Sequence, residues 1–350
     1  MRKTLAVGTL ILVTIIISLV ILTACSNKVV SPITDSQLDD VLIPKDTTQP
    51  SLQNISTPEA VRNIPLAVTT SSVNATNPII TAPPNAIPFD WGSARGKVWD
   101  QYFYSSILSK QMSYRIYLPP DYYKYPTRHY PVLYMLHGLS GTYQEWVDYG
   151  LLPTADDMIQ TRQLNPFIIV LPLGEQSYWM NQQNNGPRWG DYMVQEVVQH
   201  VDTHYRTQAN PQNRAIGGHS MGGHGSLQLA LNNPDIFGIV GAHSPTLRTL
   251  DQALYFFNDP KYYPTVDPVS LARTKNISSY KIFLDIGNAD TDWLPRFEEF
   301  RDLLISRYAN LEWHIWTGNH GGDYWIAHVK DYLNFYANAF DVYQYLRNTT

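Results

Sequence analysis

A chain of 350 residues with 25 Lys and Arg against 30 Asp and Glu carries a net charge of −5, so it lacks the basic footprint of a nucleic-acid binder. Its single cysteine, Cys25, excludes an intramolecular disulfide and a cysteine-built metal site. The 24 Tyr and 9 Trp suit a surface that stacks on sugars or aryl groups, and they suit an aromatic core equally well.

The chain opens M-R-K-T, a positive start, followed by a nearly unbroken apolar run over residues 5–22 and then L-T-A-C ending at Cys25. The run alone is long enough to serve as a plain membrane anchor. With L-T-A-C closing on the only cysteine, residues 1–25 resemble a bacterial lipoprotein signal with its lipobox. That resemblance implies lipidation at Cys25 and an exported, extracytoplasmic chain held to the membrane by its lipid. Residues 26–88 then turn to Ser, Thr, Asn and Pro, with apolar residues standing singly. Such a stretch cannot bury enough surface to offset its ordering entropy, and a flexible tether is expected.

Residues 89–350 have the composition of one large α/β domain. Residues 98–106 and 112–118 are rich in aromatic and β-branched side chains and predict an early antiparallel pair. Residues 131–136 and 167–172 are short, wholly apolar runs, the mark of buried strands. Residues 192–205 place Val194, Val197, Val198 and Val201 at helical spacing. A strand leads to Gly218 and a helix follows from Ser226, with the next strand at 237–242. A proline-bearing stretch, 245–276, is expected as a loop-rich insertion. Residues 281–287 form another strand, 297–308 a helix burying Phe297, Phe300, Leu304 and Tyr308, 311–317 the last strand and 324–340 the last helix. Alternation of this kind calls for a mainly parallel, doubly wound sheet with helices on both faces.

The stretch that organises the domain is G-H-S-M-G, residues 218–222, with a strand before it and a helix after it. A serine lifted out of a sheet on so tight a turn adopts strained backbone angles, which is why its neighbours lack bulk. In that context Ser220 is a candidate nucleophile on a nucleophile elbow. A serine hydroxyl needs a base, a group to orient that base, and donors for an oxyanion. In a doubly wound sheet these lie just past the carboxyl ends of strands. His320, between Gly318 and Gly321 after the last strand, is the candidate base; His314, His219, His224 and His328 have blander roles open to them. For the acid, Asp285 lies inside a strand, while Asp290 and Asp292 follow it in the next turn. Spacing leaves both open, with N-capping of the next helix as the alternative role, and Asp290 is favoured. The H-G turn at His137 and Gly138 resembles the oxyanion turn of lipases and esterases, so the N–H groups of Leu139 and Met221 are the expected donors. His200 and His204 stand at helical i,i+4 spacing like zinc ligands, but the glutamate of the metalloprotease motif is missing and no third ligand is near, so no metal is expected.

Taken together, the elbow G-H-S-M-G-G, the H-G turn, G-x-x-D ending at Asp290 and G-x-H ending at His320 with an aromatic pair after it resemble the Putative esterase family. This branch of the α/β-hydrolases includes esterase D, feruloyl and acetylxylan esterases, enterochelin esterases and mycolyltransferases. The resemblance spans residues 98–340 and implies an α/β-hydrolase fold, no cofactor, and acyl chemistry through an acyl-serine with Ser220, Asp290 and His320. It places residues 178–192 along the substrate, which would then meet His137, Asn181, Arg188, Trp189 and Trp325. The expected substrate is a small-molecule or polysaccharide-linked carboxylic ester of the feruloyl or acetyl kind. The leader and tether depart from cytoplasmic esterase D and argue against a glutathione thioester. A mycolyltransferase-type acyl transfer and a non-catalytic binding lipoprotein on the same scaffold are the alternatives.

Overall fold

The computed structural model describes residues 95–257 and 259–340, so the expected leader, Cys25 and the tether of residues 26–88 lie outside the described residues. Eight strands form one sheet: β1 (Lys97–Ser105), β2 (Lys110–Leu118), β3 (Val132–Leu136), β4 (Ile168–Pro172), β5 (Arg214–His219), β6 (Ile239–His243), β7 (Lys281–Gly287) and β8 (Asn310–Trp316). Their spatial order is β1-β2-β4-β3-β5-β6-β7-β8. β1 pairs antiparallel with β2, as expected, and β2 antiparallel with β4; the other ladders are parallel. β3, β4, β5 and β6 are buried along their whole length. That burial is why they read as continuous apolar runs rather than alternating ones.

Buried side chains form one cluster on each side of the sheet. One holds Val197, Val201, Leu227, Leu271, Phe297 and Leu304, from helices on that face. The other holds Trp146, Leu151, Ile159, Val329, Leu333 and Tyr336. This is the two-faced cover that a parallel sheet requires. It matches the doubly wound layout expected of an α/β-hydrolase.

Four local expectations are corrected. Between β3 and β4 lie two helices not anticipated, α1 (Gln144–Asp148) and α2 (Leu151–Gln160). The second buries Leu151, Leu152, Ala155, Met158 and Ile159, a helical stripe that the short turn-flanked segment obscured. The helix expected over 192–205 begins earlier and comes in pieces: α3 (Trp189–Asp191), a π-helical turn over Tyr192–Val197, and α4 (Val198–His204). After β5 comes α5 (Met221–Asn232). The stretch 245–276 is not mainly loop, for it contains α6 (Leu250–Phe257), α7 (Tyr263–Val266) and α8 (Pro268–Thr274). Pro264 and Pro268 open helices instead of interrupting them. Pro268 occupies the first turn of α8 behind an Asp267 cap, whose side chain accepts the Ser270 N–H at 2.8 Å. Helix α9 (Leu294–Ser306) buries Phe297, Phe300 and Leu304 but not Tyr308, which is 91% exposed. The helix has ended by then, and a φ of 55° at Tyr308 turns its side chain off the stripe. The last helix, α10 (Gly322–Ala339), starts two residues after His320.

Candidate active site

The order of the strands reverses around β3, which lies between β4 and β5. In open α/β sheets the crevice at such a switch point is where ligands bind, past the carboxyl ends of the strands. Leu136 at the end of β3 pairs with Gly218 near the end of β5. The H-G turn and the G-H-S-M-G turn are therefore neighbours.

Ser220 has φ 54° and ψ −118°, a conformation that non-glycine residues rarely adopt. The neighbours overdetermine it. Its N–H donates to the His243 carbonyl at 3.0 Å, and its carbonyl accepts from His224 N–H at 3.1 Å and Thr246 N–H at 3.2 Å. A side chain at Gly222 would bring a Cβ within 2.4 Å of the Leu136 carbonyl oxygen. Only glycine there lets α5 begin so close to β3, which is the reason for the small residue inferred from the motif.

The base and acid loops are drawn together by continuation of the β7–β8 ladder beyond the strands. Asn288 N–H donates to the Trp316 carbonyl at 2.7 Å, and Ala289 N–H to the Gly318 carbonyl at 2.8 Å. Across this junction His320 Nδ1 lies 2.6 Å from Asp290 Oδ2, and His320 Nε2 lies 2.9 Å from Ser220 Oγ. Residues from three separate strand ends are thus connected hydroxyl to imidazole to carboxylate. Asp290 is 3% exposed, while Asp292 is exposed to solvent and Asp285 is occupied elsewhere. The geometry joins Asp290, not Asp292, to His320. Ser220 and His320 both remain half-buried and open to a ligand.

The expected donors belong to the elbow and to the turn after β3. Met221 is the first residue of α5, so its N–H is among the first-turn donors that find no partner inside the helix. Leu139 stands at the tip of the turn after β3 and is 40% exposed. Two indoles lie near His320: Trp325 edge-on at 5.3 Å between ring centroids and Trp293 at 6.4 Å. Trp325 is 5% exposed and packs against the His219 ring with centroids 4.2 Å apart.

The other residues expected along the substrate are placed differently. His137 is wholly buried; Nδ1 lies 2.8 Å from the Gly138 carbonyl and Nε2 accepts the Gly174 N–H at 2.9 Å. Burial pushes its pKa down, so it is a neutral ring tying the β3 turn to the loop after β4. Both ring nitrogens being used internally, it has none to offer a ligand. Trp189 is 3% exposed, packed edge-on to Tyr192 with Lys110 over its ring. Arg188 pairs with Asp191, and the Asn181 side chain accepts the Asp191 N–H at 3.0 Å. Asn181 and Arg188 thus hold Asp191, and Trp189 holds Tyr192, at the start of the helical stretch 189–204. Tyr178 and Trp179, just upstream, do reach the elbow: the Tyr178 N–H points at the Met221 sulfur at 3.3 Å. His200 and His204 stack ring on ring at 4.0 Å, with His200 Nδ1 2.8 Å from the Tyr114 hydroxyl.

Two contributors had no motif to announce them. Trp293 precedes α9 in what reads as a plain turn. Glu145 lies on α1, its carboxylate between the Gly138 N–H and the His219 ring.

The family model described as "Putative esterase" matches residues 105–335. Esterase MT1326 of Mycobacterium tuberculosis (strain CDC 1551 / Oshkosh) is 31% identical over 152 residues, 42% of this chain and 32% of that protein. An endo-1,4-beta-xylanase/feruloyl esterase of Xylanibacter ruminicola is 28% identical over 153 residues, 42% of this chain and 21% of that protein. The matches thus span about a third or less of these curated relatives. Among solved structures, a ferulic acid esterase superposes with a TM-score of 0.64 at 23% identity, covering 71% of this chain and all of that one. The family match covers well over half of the sequence and includes Ser220, Asp290 and His320: this chain belongs to the Putative esterase family.

Proposed function

We propose that the protein is a serine esterase that cleaves carboxylic esters through an acyl-serine. The observation that carries this reading is the Ser220–His320–Asp290 relay, with its hydroxyl on a strained turn at the sheet's switch point. As Ser220 Oγ bonds to the ester carbonyl carbon, His320 Nε2 takes its proton, and the carbonyl oxygen becomes an oxyanion facing the Leu139 and Met221 N–H groups. His320 then returns the proton to the departing alkoxide, leaving the acyl group on Ser220. Water enters by the same steps in reverse and releases the free acid. Asp290 keeps the imidazole proton on Nδ1 and stabilises the imidazolium that forms. Each oxyanion donor contributes about 3 kcal/mol to lowering the barrier.

The partly exposed Trp293 indole near His320 suits an aryl or sugar portion of the ester, and one relative carries feruloyl esterase in its name. Carbohydrate-linked acetyl or feruloyl esters are therefore the proposed substrates. The lipobox ending at Cys25 supports action outside the cytoplasm from a lipid anchor. Mass spectrometry of membrane-extracted protein should show a diacylglyceryl cysteine, and an intact Met1 terminus would refute it.

The direct test uses p-nitrophenyl acetate, a feruloyl sugar ester and a fluorophosphonate. The parent should release free acid even with a sugar acceptor present, which separates hydrolysis from acyl transfer, and should be labelled at Ser220. Ser220→Ala should lose both properties while keeping its circular dichroism. Hydrolysis by Ser220→Ala at the parental rate would sink the reading.

A further inference from the structure

One carboxylate lies between the two segments that supply the proposed oxyanion donors. Glu145 Oε2 accepts the Gly138 N–H at 2.9 Å and lies 3.0 Å from His219 Nε2. Gly138 immediately precedes Leu139; His219 is separated from Met221 only by Ser220. A single carboxylate oxygen thus bridges the turn after β3 and the elbow.

The turn is moulded around that carboxylate. It closes by a hydrogen bond from Gly141 N–H to the Gly138 carbonyl at 3.2 Å, with Ser140 at φ 63°. A Cβ built on Gly141 would fall 2.2 Å from the Glu145 carboxylate, and one on Gly138 would fall 2.6 Å from the His219 ring. Both ends of the turn therefore admit no side chain while Glu145 and His219 occupy these positions. His219 is 2% exposed, and burial keeps its pKa down, so the neutral ring donates Nε2–H to Glu145. Its Nδ1 then has no partner among the described residues. Trp325, Trp146 and Tyr149 pack against the ring, with centroids at 4.2, 5.2 and 5.4 Å. Helix α1 does not depend on Glu145 for its anchorage, since the adjacent Trp146 is buried and donates its indole N–H to the Leu136 carbonyl at 2.9 Å.

We propose that Glu145 is a positioning residue for the oxyanion donors: its carboxylate fixes the turn carrying Leu139 at one distance and angle from the elbow carrying Met221. The proposal rests on the esterase reading and adds to it the side chain that sets the donor geometry. Two donors act on one oxygen only if both point at it, and displacing either by about 1 Å can cost roughly a hundredfold in rate.

The test compares the parent with Glu145→Ala and Glu145→Gln in the full chain. It measures kcat and KM for p-nitrophenyl acetate, affinity for an alkylboronic acid, and thermal midpoint. The boronate adds to Ser220 Oγ as a tetrahedral adduct and so reports the donors directly. Glu145→Ala should lower kcat roughly 10- to 100-fold, move KM by less than about 3-fold, and weaken boronate binding by the factor lost in kcat/KM. A folded Glu145→Ala with kcat within about 3-fold of the parent would overturn the proposal, as would lost kcat with unchanged boronate affinity. If Glu145→Ala fails to fold, Glu145→Gln carries the test. It keeps an acceptor for Gly138 but replaces charge-assisted bonds with neutral ones, and should lose about 3- to 10-fold in kcat with boronate affinity in step. Parental kcat in that variant would overturn the proposal. A parent that neither hydrolyses the ester nor binds boronate would overturn the esterase reading as well, which distinguishes the two failures.

Discussion

Asp285 offers a stability test that does not depend on measuring turnover. Its side chain is fully buried, with Oδ1 2.6 Å from His243 Nδ1 and Oδ2 accepting the Tyr324 and Tyr332 hydroxyls at 2.8 and 3.0 Å. His243 Nε2 lies 3.0 Å from the Tyr336 hydroxyl. The network straps α10 to β6 and β7. Asp285→Ala leaves three buried donors without their acceptor; at about 1–3 kcal/mol for each group left unsatisfied, with neighbours partly relaxing, the loss is about 3–5 kcal/mol. In a domain of this size each kcal/mol moves the midpoint by about 2–4 °C, so a loss of roughly 6–20 °C is expected. Asp285→Asn keeps the shape and one carbonyl acceptor and should lose about half as much, since charge-assisted bonds are about twice as strong as neutral ones. Thermal unfolding of the full chain at pH 7.5, followed by circular dichroism, measures both. Because the groups share one acceptor, Tyr332→Phe combined with Asp285→Asn should cost less than the sum of the single changes. A shift below about 2 °C for Asp285→Ala, or additivity in the pair, would refute the strap.

Asp290→Asn should cut kcat by orders of magnitude, because it disturbs the His320 tautomer and removes the charge that stabilises the imidazolium, while exposed Asp292→Asn should cost little; the reverse ranking in ester turnover would move the acid to Asp292. Stability should fall on acidification below pH 6.5. Burial lowers the pKa values of His137, His219 and His224, the last to about 4, so between that value and 6.5 the unfolded chain binds protons that the folded chain does not. For His224 alone this amounts to about 2 kcal/mol at pH 5 relative to pH 7.5. Urea midpoints should drop accordingly, less steeply in His224→Gln, and a midpoint that rises as the pH falls through this window would contradict the assignment.

The parts of the site that stood out in the sequence are those whose chemistry constrains the local chain. Ser220 is legible because its backbone conformation demands small neighbours, and those glycines are visible as letters. His320 is legible because it follows the last strand on a glycine-flanked loop. Asp290 and Asp292 could not be separated by spacing, since the choice depends on where the β7–β8 ladder continues past the strands. Asn181, Arg188 and Trp189 were assigned by position in a family pattern. Their side chains instead hold the start of the helical stretch 189–204, a contact no periodicity reveals. Helices α1 and α2 were missed because short amphipathic helices next to glycine-rich turns give a weak period.

Glu145, His243 and Asp285 were not legible as parts of the site for a deeper reason. His219, His243, Asp285 and His314 are register partners on four adjacent strands, yet each lies far from the next in the chain. A polar residue at the carboxyl end of an apolar strand has no meaning by itself; it acquires one when parallel pairing lines up the ends. Ser220, Asp290 and His320 project beyond this row, and the row supports them. The His243 carbonyl holds the Ser220 N–H, and the Asp285 carboxylate holds Tyr324 of the helix that follows His320. At the other end of the row Glu145 holds His219. The reacting groups can be sought from motifs, but the groups that fix their separation follow only from strand order. Variants of the supporting row should therefore alter kcat or stability while leaving every recognisable motif intact.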